Sequence, residues 1–230
     1  KSYFKNGWYI SGDRAYQEVS MSVEGTTLAV AYSYGRGRLD LFVETATLNA
    51  ACALSQSVPL PAAVVVDPDD DDTSQIAPTH LSLALASTAL ETRIFLSYSR
   101  RSVTVVTEDT QLAYCDMQAS GGCDQTADWL SVVTQNHRFF GGALAMSGDY
   151  LLWAPRLRTV NDAATERVEI WRCNFAVDGC DAAADFAAGY DLTGRGIVTA
   201  GTGNSAVNLR TENDTVMYTV EDEFFWCHTS

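Results

Sequence analysis

The chain is short of basic residues and of long apolar runs. Only 15 of its 230 residues are Lys or Arg, against 29 Asp or Glu, which gives a formal net charge of −14. Nucleic-acid binding needs clustered cations that displace counterions from phosphates, so this charge balance argues against a nucleic-acid partner. No apolar run approaches the roughly 18–20 residues that cross a bilayer as a helix, and we expect no membrane span.

Patterns that carry catalysis or bind a transition metal are equally scarce. There are three histidines, and His80 and His137 fall just before predicted first strands of the repeat described below. No Gly-X-Ser-X-Gly nucleophile motif accompanies them. The cysteines lack the two-residue spacings typical of zinc sites. We therefore expect a protein that is not an enzyme. The alternative of a glycan-active enzyme stays open, because paired carboxylates at an axial channel would meet in space rather than in sequence.

The six cysteines are patterned. Cys115 and Cys123 bracket one short loop that contains Gly, and Cys173 and Cys180 bracket another. Each pair predicts a disulfide, which an oxidising compartment preserves, so we expect an extracellular or cell-surface protein. The chain begins at Lys1 and has no secretory leader, which predicts a processed or truncated chain.

Alternating apolar runs recur in units of roughly 58 residues, the spacing of a structural repeat. Each unit contains a first run, a turn rich in Gly, Asn or Asp, a second run, and a third run that ends near a cysteine. The third runs are Thr47–Cys52, Gln111–Cys115, Val168–Cys173 and Glu223–Cys227. A short fourth strand candidate follows the first three, at 58–60, 129–133 and 186–188. Helical periodicity is nearly absent.

Four strands per unit predict an all-β protein, a β-propeller of about four four-stranded blades in one domain, 1–230. The predicted blades are 17–60, 79–133, 139–190 and 204–230. The last repeat lacks a fourth strand, and the segment 7–11 would supply it, closing the ring and removing exposed sheet edges. A stack of hairpins in a sandwich and a truncated larger ring are the alternatives.

One repeat resembles a known family. The segment 140–155 opens with Phe-Gly, passes through a Ser-Gly-Asp turn and closes with Ala-Pro. It looks like an FG-GAP repeat, the blade unit of integrin-α-type propellers, and the other repeats match in outline only. The resemblance implies an extracellular adhesion or recognition module. Blades of that family often carry a calcium loop in the first turn, but Glu24, Asp149 and Asp214 stand singly in the turns here, so that site is not carried over.

A dense run of carboxylates lies between the first two predicted blades. Asp67, Asp69, Asp70, Asp71 and Asp72 offer hard oxygen ligands, so Ca²⁺ is the one cofactor that we consider. A solvated loop of mutually repelling charges is the favoured interpretation, since no Gly breaks the run.

Three further positions invite modification or covalent assembly. Asn213-Asp-Thr215 is a glycosylation sequon in a predicted exposed turn, which makes Asn213 a candidate glycan acceptor. Cys52 and Cys227 occupy the first-cysteine position of their repeats without the second. We expect them to be unpaired or bonded to another chain, because in a closed ring they would lie too far apart to bond with each other.

The function expected from the sequence is therefore a non-enzymatic structural, adhesion or recognition module. Its divergent loop faces would bind a protein or a glycan, and a carbohydrate-binding lectin is the main alternative. Basic loops at 34–38, 100–101 and 156–158, with Arg167, would share one rim with the acidic run. Such pairing within or between copies would favour a homo-oligomer or filament.

Overall fold

The computed structural model describes residues 15–35, 41–48, 54–56, 64–67, 75–102, 108–119, 122–123, 125–136, 142–157, 167–191, 207–212, 215–220 and 223–228. Most of these residues are β-strand, and the α-helix among them is the single turn α1, Phe175–Asp178. The all-β prediction is confirmed in this part of the chain.

The strands form four antiparallel sheets, and each sheet is built from strands consecutive in the chain. Sheet 1 contains β1 (Ala15–Glu24), β2 (Thr27–Gly35), β3 (Leu41–Leu48) and β4 (Leu54–Gln56), with β5 (Val64–Asp67) also paired to β3. Sheet 2 contains β6 (Gln75–Ser87), β7 (Thr92–Ser102), β8 (Glu108–Asp116) and β9 (Leu130–Asn136). Sheet 3 contains β10 (Gly142–Ser147), β11 (Tyr150–Leu157), β12 (Arg167–Asn174) and β13 (Ala187–Asp191). Sheet 4 contains β14 (Val207–Glu212), β15 (Thr215–Val220) and β16 (Glu223–His228).

Tight turns join the first two strands of sheets 1 and 3. Gly25 and Gly148 adopt left-handed φ angles of 56° and 55° there, which a side chain would strain. Both glycines lie in turns that the sequence marked as hairpins. The local sequence therefore sets the register of these two hairpins.

The sheets stack face to face in chain order, with β6 packed on β1 and β2, β10 on β6 and β7, and β14 on β10. A buried apolar cluster fills each of the three interfaces. Strand β6 shows the principle, because Leu83 and Leu85 face sheet 1 while Ala84 and Ala86 face sheet 3. The side chains of β6 therefore alternate between two apolar cores, one on each face of the sheet.

Hydroxyl groups join the first strands of neighbouring sheets. Each first strand is the edge of its own sheet, so every second backbone N–H and C=O points away from its hydrogen-bonded neighbour. The bonds that meet these groups are Leu83 N to Ser20 Oγ (3.1 Å), Leu85 N to Ser22 Oγ (3.1 Å), Leu144 N to Ser82 Oγ (2.8 Å) and Thr211 Oγ1 to the Met146 carbonyl. These bonds satisfy outward-facing backbone groups on the edges of β6 and β10, and the first strands run in the same direction.

The FG-GAP-like segment packs closely against sheet 2. The buried Trp153 donates its Nε1–H to Ser97 Oγ at 3.0 Å, and Ser97 is itself fully buried on β7. A Cβ added to Gly142 would overlap Trp153 Nε1 and approach Ser97 Oγ. Gly142 is therefore glycine because the indole occupies the space above it, which gives a packing reason for one residue of the motif.

The two outermost faces of the stack expose large apolar side chains. On sheet 1, Met21 (64% exposed) and Val23 (52% exposed) point away from sheet 2. On sheet 4, Trp226 (60% exposed) lies opposite Met217, on the face away from sheet 3. Exposed apolar area of this kind marks surfaces that another element covers.

The predicted blades coincide with the four sheets in outline. No sheet among the described strands closes on itself, and closure of the stack into a ring stays a prediction. The predicted fourth strand at 58–60 and the closing segment 7–11 fall outside the described residues, while β4 and β5 flank the former position.

Candidate functional site

One end of the stack carries the first-hairpin turns of sheets 1, 2 and 3, and we call it the turn face. It consists of the turns 24–27, 87–92 and 147–150 together with the loops 116–130 and 174–187. In an antiparallel meander the first turn and the third connection lie at the same end of a sheet. Because the first strands run in the same direction, the four sheets present these ends together.

Both predicted disulfides are present in the turn face. Cys115 bonds to Cys123 with a Cα–Cα distance of 5.8 Å, and Cys173 bonds to Cys180 at 5.7 Å. Cys115, Cys173 and Cys180 are buried in the apolar clusters between sheets. The disulfides therefore fasten two surface loops directly to the core.

The two disulfide loops share a sequence motif and a local structure. Cys123-Asp-Gln-Thr-Ala-Asp-Trp129 and Cys180-Asp-Ala-Ala-Ala-Asp-Phe186 share the pattern Cys-Asp-X-X-Ala-Asp-aromatic. In each, the second Asp closes a 3₁₀ turn by accepting from a backbone N–H three residues earlier, at 2.9 Å for Asp128 and 2.8 Å for Asp185. The aromatic residue that follows is buried. This repeat was legible in the sequence, but the cysteine spacing alone did not reveal it.

Arg93, near the start of β7 in sheet 2, binds the second disulfide loop across the interface between sheets 2 and 3. Its Nη1 donates to the carbonyl oxygen of Gly179 at 2.5 Å and lies 3.3 Å from Asp181 Oδ2, while its Nη2 lies 3.1 Å from Glu91 Oε2. The guanidinium also stacks over Tyr114 (5.0 Å) and near Phe175 (5.8 Å). With its side chain only 12% exposed, Arg93 is a buried cation held by an adjacent sheet.

Sequence reasoning did not find Arg93. Its contacts with the second disulfide loop span 86 and 88 residues of chain, and a single arginine in a strand carries no local signal. Gly179 has a φ angle of +75°, and its position before the second cysteine of the loop aims its carbonyl at the guanidinium. In the sequence, Gly179 before Cys180 was the one signal that could have indicated a special backbone conformation at this contact.

A cleft of about 320 Å³ opens beside the first disulfide loop. Its walls are Arg93, Tyr114, Asp116, Ala119, Gly122, Ala127, Asp128 and Leu130. Asp116 Oδ1 accepts from Gln118 N at 2.9 Å, so this carboxylate is held in place by the loop that it borders. The cleft combines an apolar wall with two fixed carboxylates.

The electrostatics of the cleft are visible at Tyr114. Burial raises the pKa of the Tyr114 phenol, the charges of Asp181, Asp116 and Glu91 raise that pKa further, and Arg93 opposes them. The pKa of Tyr114 is raised overall, so burial and the acidic neighbours together outweigh Arg93 and disfavour the phenolate.

The other predicted site residues lie apart from this cleft or outside the described chain. Asp67 ends β5, and Asp69–Asp72 are outside the described residues, as are Cys52, Asn213 and His137. Cys227 lies in β16 and His80 in β6. The prediction of a basic loop at 100–101 was wrong, because Arg100 and Arg101 pair within strand β7. The loops at 34–38 and 156–158 are described only at their strand ends. Within the described ranges, no group of three or more His, Cys, Asp or Glu side chains is placed to hold a metal ion.

No protein-family model matches the chain, and no curated protein matches its sequence. Across the described residues, no helix combines the length and apolar character needed to cross a membrane.

Proposed function

We propose that this chain is a non-enzymatic extracellular recognition module, a β-propeller that binds a protein partner through its turn face. The observation that carries the proposal is the pair of matched disulfide loops on adjacent sheets, the second of which is bound to sheet 2 by Arg93. Surfaces held rigid before binding lose little entropy on association. Two disulfides also suit an oxidising, extracellular compartment.

The turn face presents apolar side chains on this rigid base. Leu90 is 87% exposed in the β6–β7 turn, Val177 is 77% exposed on α1, and Leu130 is 51% exposed at the start of β9. Contiguous exposed apolar area marks protein-binding surfaces, and we propose that these three side chains form such an area on the turn face. The buried positions of Trp129 and Phe186 weigh against the lectin alternative, because the aromatic members of the loop repeat are used for packing rather than for sugar stacking.

Closure of the sheet stack into a ring is part of the proposal. Met21 and Val23 on sheet 1 and Trp226 on sheet 4 are the apolar residues that closure would cover. The FG-GAP resemblance of segment 140–155 supports the same architecture. We expect a photo-crosslinker at position 21 to react with residues 207–228 of the same chain. Crosslinks only between isotope-distinguished copies would instead show a filament or oligomer.

Adhesion tests the recognition function. Beads coated with the folded protein should adhere to cells of the source organism. The double variant Leu90→Asp with Val177→Asp should lose most of this adhesion, because each buried aliphatic contact is worth about 1.5–3 kcal/mol. Arg210→Gln, which alters an exposed strand residue away from these loops, serves as the matched control. Equal adhesion by all three proteins, or none by the parent, would count against the proposal.

A further inference from the structure

We propose that the cleft beside the first disulfide loop binds the guanidinium group of an arginine side chain from a protein partner. This inference rests on the proposed recognition function and assigns the partner a chemistry. It identifies Asp116 and Asp128 as the binding carboxylates and Leu130 as the apolar contact.

The chain already holds a guanidinium in the matching loop. Arg93 is bound there by the carbonyl of Gly179, the residue before the second cysteine, and by the carboxylate of Asp181. Gly122 is the counterpart of Gly179 before Cys123, has a similar left-handed φ angle of +66°, and lines the cleft. The two loops thus share the glycine position, whereas the cleft carboxylates Asp116 and Asp128 stand at other positions of the repeat than Asp181.

The shape and charge of the cleft fit this ligand better than a metal ion or an apolar group. At about 320 Å³ it lies at the lower end of the 300–1,000 Å³ typical of small-ligand sites. Two carboxylates supply too few oxygens for Ca²⁺, which takes six to eight, but they match the planar fork of a guanidinium. Ala119, Ala127 and Leu130 form a wall for the methylene stem of the arginine.

Arg93 also borders the cleft without cancelling its charge. Glu91 and Asp181 pair with Arg93 at 3.1 and 3.3 Å, so the pair of cleft carboxylates remains in excess. In the described loops, each cleft carboxylate uses one oxygen to accept a local backbone N–H. These bonds fix the side chains in orientation before a ligand arrives.

The test uses blocked arginine, N-acetyl-L-arginine amide, with blocked citrulline as the neutral analogue of the same shape. Two-dimensional amide NMR of the intact disulfide-bonded protein should show arginine-dependent shifts among residues 114–130, with a dissociation constant in the millimolar range. Citrulline should bind at least about tenfold more weakly, because charge-assisted hydrogen bonds are lost. Raising the salt concentration should weaken arginine binding.

Three variants distinguish arginine binding in the cleft from nonspecific attraction of arginine to the acidic surface of the protein. Asp128→Asn should weaken arginine binding about tenfold or more while retaining an acceptor for Gln125 N. Asp185→Asn makes the same change in the matching loop, outside the cleft walls, and should leave affinity within about twofold. Ala127→Lys, at an exposed position, should abolish binding by placing a cation in the cleft, and it keeps the test valid if Asp128→Asn unfolds.

Equal binding of arginine and citrulline, or shifts centred on residues 175–186, would overturn the inference. Unchanged affinity in Ala127→Lys would overturn it as well. None of these outcomes touches the adhesion result at Leu90 and Val177, so the recognition function and its arginine chemistry fail separately.

Discussion

Replacing Arg93 by Met should destabilise the protein by about 2–4 kcal/mol. The hydrogen bond to the Gly179 carbonyl is charge-assisted and contributes about 1.5–3 kcal/mol. Stacking over Tyr114 adds about 0.5–1 kcal/mol, and the ion pair with the half-exposed Asp181 adds at most about 1 kcal/mol. Methionine retains much of the apolar packing, so the estimate concerns the lost polar contacts.

The assay is urea unfolding under non-reducing conditions, followed by tryptophan fluorescence. For a chain of this size the expected loss corresponds to a fall in melting temperature of roughly 6–12 °C. Arg210→Met, at an exposed strand position, is the control and should change stability by less than about 0.5 kcal/mol. Equal stabilities for the two variants would refute the role assigned to Arg93.

A second readout of the same substitution is the ionisation of Tyr114. Arg93 lowers the pKa of this phenol against the larger raising effects of burial and acidic neighbours. Removing the cation should therefore raise the Tyr114 pKa further, provided that the local packing is kept. Absorbance titration near 295 nm, with Tyr114→Phe subtracted, measures the change. A Tyr114 pKa that falls in the folded Arg93→Met protein would contradict the geometry.

Three other substitutions test the sheet interface and the loops by the same unfolding assay. Gly142→Ala should cost about 1–3 kcal/mol, because its methyl group overlaps the indole of Trp153, and no loss would contradict the described packing. Ser97→Ala should cost about 1–3 kcal/mol by stranding the Trp153 N–H, with Ser87→Ala on an exposed turn as control. Replacing both Cys173 and Cys180 by Ala, which removes a disulfide of sequence separation 7, should cost about 2–3 kcal/mol, and an unchanged unfolding midpoint in this variant would contradict it.

The sheets were predictable because their determinants are local. Successive side chains of β6 point into two different cores, as Leu83, Ala84, Leu85 and Ala86 do. A short, continuous apolar run therefore predicts both the strand and its burial on two faces. The glycine at position 25 predicted the first hairpin turn, and the spacing of the cysteines predicted the two disulfide loops. Most strand positions followed from these signals with small shifts at the ends. The third strand of the first repeat was predicted wrongly, because β3 is Leu41–Leu48 and overlaps the predicted Thr47–Cys52 by only two residues.

The candidate site was not predictable to the same degree, because it depends on contacts between sheets. Arg93 lies in a strand whose local pattern concerns only its own sheet, yet its partners Gly179 and Asp181 belong to the next. The acidic run at 67–72 attracted attention as the densest charge cluster, whereas the cleft draws Asp116 and Asp128 from separate ends of one loop. A dense run of charged residues in the sequence is therefore a poor predictor of a site whose residues come together only in the folded chain.

The two disulfide loops suggest that, in a repeat fold, one copy of a loop can stabilise the structure while another copy binds a partner. Both loops have a left-handed glycine before the second cysteine and an aspartate that closes a 3₁₀ turn. In sheet 3 the loop is occupied from within by Arg93, and its role is to join two sheets. In sheet 2 the corresponding glycine lines an open cleft. The glycine position is therefore shared by the two copies, while the open copy has its own carboxylates, Asp116 and Asp128, available to a partner.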